Sequence, residues 1–83
     1  MPLSLGDITR LAATIVVDED PRIHVIAAMS AEGATDYAEV VLTREAEGGA
    51  PRRLVIGVTR DASEAYVLSV LRDRLRDRLR TLV

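Results

Sequence analysis

Cysteine, lysine, asparagine, glutamine, phenylalanine and tryptophan are all absent from this 83-residue chain. Without cysteine there is no disulfide framework, no zinc–thiolate site and no thiol nucleophile. Without lysine there is no Schiff-base chemistry and no phosphate-binding P-loop lysine. Tyr37 and Tyr66 are the only aromatics, which leaves little for nucleic-acid bases to stack on. No uninterrupted apolar run approaches the roughly 20 residues a bilayer-spanning helix needs. No basic region followed by an apolar stretch marks a secretory signal. No membrane contact is expected, and cytoplasm is the expected compartment.

What is present is aliphatic and charged. Ten Leu, ten Val, five Ile and eleven Ala accompany 29% charged residues. That is enough apolar matter for one packed core and argues against disorder. At this length the chain is expected to be a single small domain, residues 1–83, with a marginal core. The formal net charge is −2, but it is unevenly spread. Residues 1–50 hold three Arg against nine acids, and residues 51–83 hold eight Arg against four. Such asymmetry reflects attraction between the halves, a charged partner, or chance.

The apolar spacing Leu5, Ile8, Leu11, Ala12, Ile15, Val16 predicts a helix over roughly 4–16. Ser4 serves as its cap, and Asp7 lies three residues on, where a negative charge suits a helix start. The β-branched run Thr14–Val17 weakens its end, and a strand there is the alternative. Asp18-Glu19-Asp20-Pro21 then breaks the element. Three strand-like runs follow: residues 22–30, 37–44 and 53–60. Strict alternation puts Ile23, Val25, Ala27 and Met29 on the inner face of the first. Ala38, Val40 and Leu42 face inward from the second, and Leu54, Ile56 and Val58 from the third. The connections 31–36 and 46–51 are too short for a crossover helix, so the strands should form an antiparallel meander. Asp61 and Glu64 have capping-box spacing and predict a last helix from Ala62 to about Leu82. Its apolar stripe is Ala65, Leu68, Leu71, Leu75, Leu79 and Leu82. The expected fold is α+β: a two-layer α-β-β-β-α arrangement of a three-stranded antiparallel meander with both helices on one face.

Five features compete for a functional role. Alternation places His24, Ile26, Val41 and Val55 on the outer face of the sheet, with the three aliphatics side by side. This reads either as a self-association surface or as a scatter of exposed aliphatics. The segment Leu71–Arg80 holds five Arg and two Asp. It reads as a solvated, self-paired helix surface, as a helix meeting a partner helix through the heptad-spaced stripe Leu68, Leu75 and Leu82, or as a phosphate-binding cluster of Arg72, Arg76 and Arg80. The acids Asp18-Glu19-Asp20 with His24 nearby have no metal-ligand spacing and read best as a solvated turn. His24 alone lacks a placed nucleophile and orienting acid, so no catalytic residue is expected. Gly48-Gly49 lies between strands, where it is turn chemistry rather than a phosphate cradle. Gly57, inside a strand, signals a bulge or a close approach.

The α-β-β-β-α order is similar to the topology of double-stranded-RNA-binding domains. The likeness covers most of the chain, as topology only. That family sets lysines at the start of its last helix to grip phosphate; here the matching stretch is Asp61-Ala62-Ser63-Glu64, which is acidic. Taken together, the sequence predicts a non-catalytic module with no cofactor and no metal. Its expected partner is a second copy of itself, a homodimer, or another protein. The contact residues would be Ile26, Val41, Val55, Leu75, Leu79 and Leu82. The alternative is a weak nucleic-acid-binding module using Arg72, Arg76 and Arg80.

Overall fold

The computed structural model describes residues 2–31 and 33–81. The chain runs α1 (Leu5–Glu19), β1 (Ile23–Ala31), β2 (Ala34–Arg44), β3 (Arg52–Thr59) and α2 (Glu64–Thr81). The sheet is a meander in the order β1-β2-β3, antiparallel throughout. α1 packs on β1 and β2, while α2 packs on β3 and on α1. Both helices therefore cover the same face, giving the two-layer α+β arrangement.

α1 starts as a reciprocal capping box. The Asp7 N–H donates to Ser4 Oγ at 3.0 Å, and the Ser4 N–H donates to Asp7 Oδ2 at 3.2 Å. The helix continues to Glu19, so Thr14–Val17 is helical. Local β-propensity loses there because Ile15 and Val16 are buried in the core. Thr14 also spends its hydroxyl on the Arg10 carbonyl, at 3.0 Å. The helix ends at Asp20, whose backbone is extended, one residue before Pro21.

α2 begins two residues later than its capping-box spacing suggested. The Tyr66 N–H donates to Ser63 Oγ at 3.2 Å, so Ser63 is the cap. The Asp61 N–H instead donates to Thr59 Oγ1 at 3.2 Å, in the turn after β3. The helix is also rotated from the expected stripe. Val67, Leu71 and Leu75 are its buried residues, Leu68 is half-buried and Ala65 is exposed.

The two halves of the core meet along Val40, Leu42, Leu54, Ile56 and Val58 from the sheet and Ile8, Leu11, Ile15, Val67, Leu71 and Leu75 from the helices. Each fully buried large aliphatic contributes about 1.5–3 kcal/mol. A void of about 10 Å³ lies between Ala12, Val40, Leu71 and their neighbours. It is apolar and at the lower limit for one water.

The β1–β2 turn is tighter than expected. Ala31 pairs with Ala34, and Gly33 takes φ +78°, which a residue with a Cβ rarely adopts. The pairing of β1 with β2 also slips between Val25 and Ala27, leaving Ile26 as an extra residue. Val25 faces Leu42, and beyond the bulge Ala28 faces Val40 on the helix side. Ala27 and Met29 therefore turn to the outer face, opposite Val41 and Glu39, instead of inward.

Candidate interaction surface on the outer sheet face

The row expected as Ile26, Val41, Val55 is Ala27, Val41, Val55. β2 supplies the middle residue, paired with Ala27 on one side and Val55 on the other. Around it stand the exposed aliphatics: Ile26 on its bulge (57% exposed), Met29 (45%) and Val55 (40%). Val41 itself is only 2% exposed and yet is no part of the core under the helices. It is the centre of a small apolar cluster on the reverse of the sheet, so its burial belongs to the monomer. Tyr37 extends this surface. Its ring crosses Gly57, where an added Cβ would lie 2.7 Å from Tyr37 Cε1. The close approach signalled by that glycine is this ring.

The helix residues expected at a contact separate. Leu75 is 1% exposed and belongs to the core, one turn on from Leu71 on the face of α2 that covers the sheet. It is not free to meet a partner. Leu79 is partly buried against the same core, and Leu82 lies outside the described residues.

Of the three arginines expected to meet phosphate, Arg72 and Arg76 pair inside the chain and Arg80 stands largely exposed. Arg76 donates through Nε to both Glu19 carboxylate oxygens, at 3.0 and 3.2 Å, and Arg72 Nε stands 3.6 Å from the same group. The Glu19 carboxylate holds the Arg76 guanidinium above its ordinary pKa. Arg80 is 4.0 Å from Asp77, both largely exposed. The neighbouring acid is equally occupied. Asp20 accepts from the backbone and side chain of Arg22 and from Arg44 Nε, at 2.9–3.2 Å. The Arg22 hydrogen bonds hold its carboxyl below the usual carboxylate range. Glu19 and Asp20 are thus ends of a clamp between α1, the sheet and α2. The ion pair Arg10–Glu64, at 3.1 Å, adds a second tie between the helices.

His24 faces outward opposite Thr43, with Nε2 3.6 Å from Glu45 Oε2, both groups exposed. Among the described residues no group of three or more His, Asp and Glu converges as a metal site. No helix described is long and apolar enough to cross a membrane.

One open groove of about 610 Å³ runs beside the free edge of β3. Val55, Ile56 and Gly57 form its strand side, and the polar flank of α2 from Asp73 to Arg80 forms the other. Sequence alternation does not reveal this groove, because it depends on how far α2 sits from the strand edge. No family model, curated protein or solved structure matches the chain.

Proposed function

We propose that the chain works by contact rather than by catalysis, associating with a second copy through the outer face of its sheet. The observation that carries this reading is the group Ile26, Met29 and Val55, three exposed aliphatics gathered around the buried Val41. A sheet face turned to water normally alternates to polar side chains. Here the central positions stay apolar, and sheets of this kind pack face to face about 10 Å apart. The polar residues His24, Glu39, Thr43 and Arg53 would form a rim around that centre. The reading assumes a cytoplasmic protein.

Light scattering coupled to gel filtration tests it. The wild-type chain should exceed its 9.0 kDa monomer mass at high micromolar concentration. Ile26→Glu with Met29→Glu should lower that mass while circular dichroism stays unchanged, since both side chains are exposed. A wild-type mass of 9.0 kDa throughout would remove the proposal.

A further inference from the structure

The two edges of the sheet are not alike. β1 carries a bulge at Ile26 and a second irregularity between Ser30 and Ala31, features that discourage pairing with another chain. β3 pairs with β2 in unbroken register from Arg52 to Thr59 and has no proline. Its other side offers outward-pointing amides and carbonyls. The groove beside it leaves room along Val55–Gly57.

The flank of α2 above that groove reads Asp73-Arg74 and, one turn on, Asp77-Arg78. This pattern is complementary to itself when reversed. Two such helices run antiparallel in a register that sets Asp73 against the second copy's Arg78 and Arg74 against the second copy's Asp77. The symmetry repeats both pairs. Antiparallel pairing also separates the like charges at the start of β3. Arg52 and Arg53 of one copy come to the far end of the other's β3, where Asp61 balances Arg60 and the Leu3 N–H already takes the Arg60 carbonyl at 2.7 Å, so the free edge is the run Arg52–Thr59.

Area points the same way. A nine-residue β1 and three strands make a face of roughly 30 by 14 Å, about 400 Å². That is half of the roughly 800 Å² per partner in a stable interface. The outer face alone therefore falls short of a stable interface, which leaves a second contact to be found.

We propose that β3 pairs antiparallel with β3 of a second copy about a two-fold axis, making one six-stranded sheet with the two α2 helices side by side above the junction. This rests on the self-association reading and adds a contact distinct from the outer face.

Two charge-reversal variants test it: Asp73→Arg with Asp77→Arg, and Arg74→Asp with Arg78→Asp. Each alone should lose mass relative to the wild type, keeping no more than the outer-face assembly, with circular dichroism unchanged, and a 1:1 mixture should recover the wild-type mass. If either variant alone keeps the wild-type mass, or the mixture gains nothing over the single variants, the edge contact is overturned. If the charge variants assemble normally while Ile26→Glu with Met29→Glu does not, the edge contact falls and the outer-face reading stands. A monomeric wild type would end both. Should the variants fail to fold, hydrogen exchange on the wild-type chain decides. Amides of β3 pointing away from β2 should exchange more slowly as concentration rises, and protection independent of concentration overturns the proposal.

Discussion

Gly57 shows how one missing side chain shapes a surface. A glycine inside a strand ordinarily costs about 0.5–1 kcal/mol relative to alanine. Here the Tyr37 ring fills the space an alanine Cβ would need. Gly57→Ala should therefore destabilise the chain by about 1 kcal/mol in urea unfolding. With Tyr37→Ala already in place, the same change should stabilise it by about 0.5 kcal/mol. A stabilising effect in both backgrounds would contradict the packing. Val41 teaches a related lesson. Alternation correctly assigns it to the outer face, but not its burial, which comes from a neighbouring strand on each side and flanking aliphatics. Val41→Ala should cost about 2 kcal/mol. Val41→Glu should abolish the folded state, not merely assembly, because the carboxylate has no partner there.

At the scale of elements, caps and charges decide the ends. Ser63→Ala should cost about 1 kcal/mol in thermal or urea unfolding, and Asp61→Ala less, because the Ser63 hydroxyl receives the Tyr66 amide. The reverse order would restore Asp61 as the cap. Local signals made much of the fold legible: the Ser4–Asp7 box, Pro21 and the apolar runs of the meander are all short-range chemistry. What stayed hidden was set by tertiary contacts. Val25-Ile26-Ala27-Ala28 is apolar throughout, so the sequence carries no alternation there to betray a bulge. Val67 and Leu68 are adjacent aliphatics, and only packing against α1 and β3 chooses Val67 for the core. Glu19 and Asp20 looked like an ordinary solvated turn, because their partners Arg44, Arg72 and Arg76 lie far along the chain. The outer apolar face was legible in outline, whereas the groove beside β3 was not.

For the whole molecule, the opposite charges of its two halves meet where Glu19 pairs with Arg72 and Arg76, while Arg10–Glu64 joins the helices and Asp20–Arg44 ties the end of α1 to the sheet. Asp20 gives these ties a pH signature. Its folded pKa lies below the unfolded 3.8, so its contribution is present above about pH 4 and fades as pH falls through the folded value. The wild-type melting temperature should drop between pH 5 and pH 3 by more than that of Asp20→Asn. At pH 6 that variant should already be less stable by about 2 kcal/mol, having lost its charged hydrogen bonds. Parallel pH profiles would contradict this assignment.

With Glu19, Asp20, Arg72 and Arg76 paired inside the chain, the sheet holds three of the five exposed large hydrophobics among the described residues, Val17 and Tyr66 standing apart on the helices, and the central claim is that a second copy takes the sheet face. Light scattering across a concentration series tests that most directly. The account predicts a mass that rises above 9.0 kDa with concentration in the wild type and stays lower at every concentration in folded Ile26→Glu, Met29→Glu protein. A constant 9.0 kDa for both, or identical growth in both, would contradict it.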